Sequence, residues 1–174
     1  PSQHAGGAVS AGAGPSHVLP GRLRMIKATQ VYETARTFVG VPFRHQGRSL
    51  PTPLHPGGLD CVGVVAKTAH ILGLSQYDWT SYQRTATWSG EFESHFADNM
   101  DPVPRGGIRP GHVVLFRQEQ FPCHCGIIGW SPAIGTTLIH AYMLRRKVVE
   151  ERFEGEWVSP ARVVGAFAYR GVEY

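Results

Sequence analysis

Apolar positions fall into two textures, helical spacing in the first half of the chain and strand-like runs in the second. From Met25 to Val39, apolar or small residues recur at Ala28, Val31, Tyr32, Ala35, Phe38 and Val39. This spacing predicts an amphipathic helix, ended by Gly40 and Pro42. Residues 44–58 mix Gly and Pro with polar side chains and read as a loop. Val62, Val65, Ala66, Ala69 and Leu72 then predict a second helix over residues 60–73, capped by Asp60 and stopped by Gly73. Residues 76–107 hold aromatics at Tyr77, Trp79, Tyr82, Trp88, Phe92 and Phe96, which suit one or two short helices forming core and cleft wall. After Pro110-Gly111 come strand-like runs at residues 112–116, 124–130, 136–142, 147–150 and 163–169. Short turns separate most of them, which predicts an antiparallel sheet. The expected class is α+β, with N-terminal helices packed on a C-terminal antiparallel β-sheet.

At 174 residues the chain suits one domain with a real core. Residues 1–24 are rich in Gly, Ala, Ser and Pro and are expected to form a flexible arm before a domain over residues 25–174. Met25 opens the folded-looking sequence, so residues 1–24 read as a processed or appended extension. They lack the basic start and apolar core of a signal peptide, and no stretch approaches a membrane span. The net charge of +4 comes mostly from scattered arginines, with short clusters at Arg22/Arg24 and Arg145-Arg146-Lys147. No long basic run marks a nucleic-acid tail, and no nucleic-acid partner is expected. A mild basic excess also suits an anionic polymer or a carboxylate-rich substrate.

Three cysteines, Cys61, Cys123 and Cys125, argue against a disulfide framework. Cys123 and Cys125 on one strand would share a face and leave His124 on the other. Such neighbours cannot easily close one tetrahedron around zinc, so no metal and no cofactor is expected. Cys61 differs from the other two because it starts a predicted helix. Unpaired N–H groups and the positive helix end stabilise a thiolate there, the reactive form of the thiol.

His124 begins one predicted strand and His140 lies late in the next. A hairpin would set the two histidines on a shared face, with the Cys61 helix packed against the sheet. Chemistry then distributes the roles. Cys61 attacks a carbonyl as thiolate, and His124 takes and returns a proton. His140 orients His124, as the third member of a triad does. The Cys61 N–H is a natural oxyanion donor.

With these residues the chain resembles the NlpC-type cysteine peptidases of bacterial cell walls, which have a circularly permuted papain-like fold. The resemblance runs from about Met25 to Tyr169. Its pieces are Gly40-Val41-Pro42-Phe43, Gly58-Leu59-Asp60-Cys61-Val62-Gly63, residues 109–116, His124-Cys125-Gly126-Ile127 and Ile139-His140-Ala141. Each is weak alone, and together they stand in the family's order. The resemblance implies nucleophile Cys61, base His124 and orienting residue His140, with Asp60 and Phe43 at the oxyanion and substrate side. It also implies cleavage of peptidoglycan stem peptides, usually beside a γ-linked D-glutamate.

Phe43-Arg44-His45-Gln46-Gly47-Arg48 and Val163-Val164-Gly165-Ala166-Phe167 resemble the small phage-tail and gene-transfer-agent members. That implies a virion protein at the tail tip, among other tail-tip proteins, acting in the host periplasm and cell wall. A structural tail-tip subunit with the same fold and little activity is the alternative, and a thiol acyltransferase or amidase is a third reading. The sequence departs from the family pattern in three places. Phe43 stands where many members have tyrosine, His112 replaces a common aspartate, and the loop at residues 44–57 is longer than in compact members. The remaining histidines (His4, His17, His45, His55, His70, His95) read as solvated or structural.

Overall fold

The computed structural model describes residues 25–82, 90–117 and 124–174. The expected arm, Trp88 and Cys123 lie outside them. In chain order the elements are β1 (Ile26–Lys27), α1 (Ala28–Arg36), β2 (Arg48–Ser49), β3 (Gly58–Leu59), α2 (Cys61–Leu72), α3 (Glu91–Asn99) and β4 (Asp101–Pro102). The strands β5 (Val113–Phe116), β6 (His124–Ser131), β7 (Gly135–Tyr142), β8 (Lys147–Arg152), β9 (Val163–Ala168) and β10 (Val172–Glu173) follow. Six of these form one antiparallel sheet in the order β4-β9-β5-β6-β7-β8. The α+β class and the helices-then-sheet order match the sequence pattern.

The sheet has two buried faces. Val113, Leu115, Cys125, Ile127 and Ile139 face the helices and join Val31, Phe38, Val62 and Val65 in the main core. The alternate residues Val114, Phe116, Ile128 and Leu138 form a second core with Trp157, which lies in a short 3-10 turn at Gly155–Val158. Burial on both sides explains why β5 reads as a continuous apolar run and not as an alternation. The Tyr169 hydroxyl donates to the Val65 carbonyl at 2.9 Å and ties α2 to the segment after β9.

Helix α2 matches its expected bounds almost to the residue. Asp60 Oδ1 accepts from the Gly63 N–H at 2.8 Å, and Gly73 is the C-cap. Helix α1 is shorter than its apolar spacing predicts. Ile26 and Lys27 are extended and pair in parallel with Val172 and Glu173, so the helix begins only at Ala28. At its other end Gly40 N–H bonds to Val148 O, which draws the chain off to the sheet. Three more short strands lie outside the expected strand runs. β2 and β3 pair antiparallel across the loop at residues 44–58, and β4 pairs with β9. Two-residue strands are too short to show any periodicity.

Gly126 controls the geometry between β6 and β7. A Cβ built there would lie 2.7 Å from Leu138 Cδ1 and 2.9 Å from His140 Cβ. The missing side chain leaves room for Leu138 and His140 on the neighbouring strand. We expect Gly126→Ala to lower stability by about 1–3 kcal/mol through overpacking, read by urea denaturation. Wild-type stability in that variant would show that the strand yields without cost.

Candidate active site

The site is assembled where α2 meets the first residues of β6. Cys61 is the first residue of α2 and is half-buried, packed against the main core. Its thiol lies beside Cys125 and His124, and both act on its ionisation. Cys125 comes from the helix-facing side of β6, and His124 is the first residue of that strand. His124 and His140 are both buried, and His124 Nε2 lies 2.7 Å from His140 Nδ1. His140 Nε2 in turn lies 3.1 Å from Glu151 Oε1. Tyr142 stacks on the His140 ring at 5.1 Å, and Trp157 meets it edge-on at 4.9 Å. The structure thus brings Cys61, His124 and His140 into one line, as the strand reading expects, and extends that line to Glu151.

Beneath the thiol lies a buried ionic cluster. Asp60 is 2% exposed. Its Oδ1 accepts from Gly63 N and from Arg48 Nη1 at 2.9 Å, and its Oδ2 accepts from Gln46 N at 2.7 Å and from the Tyr82 hydroxyl. Arg48 also donates to Asp78 Oδ1 at 2.7 Å, to the Gly47 and Trp79 carbonyls at 2.8 Å each, and to Tyr82 at 3.1 Å. Sequence reasoning set Asp60 on the substrate side. Here both of its oxygens are engaged inside the protein, and its work is to cap α2 and hold two loops against it. Gly63 allows that docking, because a Cβ there would fall 2.3 Å from the Gly47 carbonyl oxygen.

Phe43 is half-buried against the main core and carries no hydroxyl. The phenol at this corner comes from Tyr82, which touches Asp60 and Arg48 and feels the Cys61 charge. No sequence signal marked Tyr82 beyond its place in an aromatic stretch. Glu151 and the pairing of Cys125 with Cys61 were also missed, since both depend on tertiary register. His112, the departure after Pro110-Gly111, accepts from the Arg109 N–H at 3.0 Å and packs on Tyr174. It serves a local turn away from the thiol. His55 accepts from Gly57 N, His70 meets Tyr77 O, and His95 stacks on Trp79. Among the described residues no group of three His, Cys, Asp or Glu could hold a metal ion. No helix among them is long and apolar enough to cross a membrane.

The electrostatics favour a thiolate. The Cys125 hydrogen bond, reinforced by the hydrogen bond and charge of His124, lowers the Cys61 pKa to about 5 against burial and the Asp60 charge. Burial pushes Cys125 well up, so it stays a thiol and serves as S–H donor. Burial also lowers His124 and His140, while the Cys61 thiolate pulls His124 back up.

Two outcomes follow. Because the Cys61 pKa is lowered, the thiolate is present above about pH 5 and lost as pH falls through that value. Iodoacetamide alkylation of Cys61, followed by peptide mass spectrometry, should therefore lose half its rate near pH 5. A midpoint near an ordinary thiol's value of about 8.5 would contradict this. Separately, Arg48→Met strips a buried carboxylate of its cation, and we expect a loss of about 3–5 kcal/mol in urea unfolding. A loss below about 1 kcal/mol would mean that the pair behaves like a surface salt bridge.

No family model matches the chain, and no curated protein does. Solved structures do. An NlpC/p60 family protein from Bacillus cereus matches with a TM-score of 0.58 at 16% identity, over 84% of this chain and 41% of that one. The peptidoglycan hydrolase RipB from Mycobacterium tuberculosis gives 0.53 at 17% identity, over 84% and 65%. The NlpC/p60 domain of the peptidoglycan hydrolase SagA gives 0.50 at 17% identity, over 82% and 99%. This chain thus spans less than half the length of the Bacillus protein. At such identities the likeness is one of architecture, and the architecture this chain carries is the papain-like NlpC/p60 fold.

Proposed function

We propose that this protein is a cysteine peptidase that hydrolyses stem-peptide amide bonds of peptidoglycan, with Cys61, His124 and His140 as its triad. The observation that carries the reading is the buried His124–His140 pair, 2.7 Å apart, set beside the Cys61 thiol at the start of α2. The Cys61 thiolate attacks the amide carbonyl and forms a tetrahedral oxyanion. The Cys61 N–H at the start of α2 has no partner within the helix and is the oxyanion donor. His124, which holds the proton taken from the Cys61 thiol, gives it to the leaving amine. It then takes one from the water that splits the thioester, and Cys61 is restored. His140 holds the His124 ring in direction throughout.

The substrate class rests on the NlpC/p60 fold, shared with the hydrolases RipB and SagA, and on the sequence resemblance. The setting rests on sequence alone. Residues 43–48 and 163–167 resemble phage-tail members, so the protein acts from a virion tail tip, beside other tail proteins, on the host periplasmic wall. A structural subunit of the same fold would need no activated thiol, and the lowered Cys61 pKa speaks against it.

Purified peptidoglycan should release new peptide amino ends with wild-type protein and none with Cys61→Ala. Mass spectrometry of the fragments distinguishes a peptidase from an amidase or transferase. Equal release by both proteins would remove Cys61 as nucleophile, and no release by either would favour the structural subunit. A particle map without this chain at the tail tip would remove the proposed setting.

A further inference from the structure

The triad ends on a ring that is itself held. His140 is fully buried, and a buried ring with two bonded nitrogens must sort donor from acceptor at each. Its Nε2 faces Glu151 Oε1 at 3.1 Å, and its Nδ1 faces His124 Nε2 at 2.7 Å. Glu151 comes from β8, where the register sets Val149 opposite His140 and carries Glu151 two residues further along the same face. Trp157, which walls both histidine rings, also helps hold the Glu151 carboxyl low. The Glu151 side chain is 29% exposed, so the line of bonds runs from buried His124 through His140 to the solvent edge of the sheet.

We propose that Glu151 is a positioning residue that keeps the proton of His140 on Nε2, and through it directs the Nδ1 of His124 at the Cys61 sulfur. The argument is one of donors and acceptors, and it rests on the thiolate–imidazole site proposed above. The hydrogen bond from His140 holds the Glu151 carboxyl below its usual range, so it is ionised and can only accept. His140 Nε2 must then donate. Burial keeps His140 neutral, so its single proton is spent there and Nδ1 is bare. His124 Nε2 must therefore carry a hydrogen, which leaves Nδ1 to exchange a proton with the thiol.

The opposite tautomer would fail at the moment it is needed. With a hydrogen on His140 Nδ1, a protonated His124 would set two N–H groups head to head across 2.7 Å. Glu151 excludes that state. Sequence gave no hint of this, because Glu151 sits in a run of charged residues at 150–152 that reads as a solvated strand end.

Nitrogen-15 NMR of the histidine rings tests the assignment in the unaltered protein. His140 should show a protonated Nε2 and a bare Nδ1 at neutral pH. Glu151→Gln keeps a carbonyl acceptor and should keep that pattern, with Cys61 alkylated at a rate near wild type. Glu151→Leu removes the acceptor, and alkylation should slow by about tenfold, in the range known for partners that orient a functional histidine. A proton on His140 Nδ1 in the wild type would overturn the proposal. So would Glu151→Leu with wild-type ring signals and rate, or an equal loss in both variants. If Glu151→Leu does not fold, the wild type and Glu151→Gln decide. Alkylation needs no cell-wall substrate, so a protein inert on peptidoglycan leaves this test standing and the two failures distinguishable.

Discussion

The arrangement depends on one buried carboxylate. Asp60 receives hydrogen bonds from the first turn of α2, from the loop at residue 46, from Arg48 and from Tyr82. These four partners lie on three separate stretches of chain. Remove the carboxylate and the helix start, the loop carrying Arg44 to Ser49 and the stretch carrying Asp78 to Tyr82 lose their common anchor. A buried ion of this kind gains little for stability when compared with an apolar pair. Its use is geometric, since it fixes where the first residue of α2 stands. That residue is Cys61.

The sheet completes the site by a simple alternation. Cys125 faces the helices and His124 faces the second core. A thiol in the middle of a packed helix could meet only the first. Cys61 meets both because it stands at the helix end and at the strand end together. Gly126, next along β6, then gives His140 the room to close on His124. The short sequence from His124 to Gly126 thus encodes an imidazole, a thiol and a vacancy, in that order.

Much of this was legible because the signals were local. Helix α2 announced itself through Asp60, its apolar spacing and Gly73, and all three features are as expected. The five long strands were readable as apolar runs between turns. The losses were of another kind. Helix α1 gave up its first residues to a pairing with β10 that closes across the whole chain. Tyr82 and Glu151 took their places through contacts 22 and 11 residues away in sequence. The resemblance implied a substrate-side place for Asp60, and nothing in the sequence shows Arg48 and Tyr82 closing over it. Short-range pattern predicts elements well, and it is silent on which polar side chains those elements will bring together.

The charges around the thiol show why the anchor must be paired. A bare carboxylate beside a thiolate opposes it. At a separation of about 5 Å and an effective dielectric of about 20, two like charges repel by roughly 3 kcal/mol. That is about two pKa units in the wrong direction. Asp60 does oppose the Cys61 thiolate, yet the net shift is downward. Arg48 supplies the opposite charge 2.9 Å from Asp60, so the pair presents a dipole and not a net charge to the sulfur. Cys125 and His124 can then set the balance from the other side. The ion pair and the proposed triad are therefore one electrostatic unit. The first gives Cys61 its position without burdening it with charge, and the second makes that position reactive.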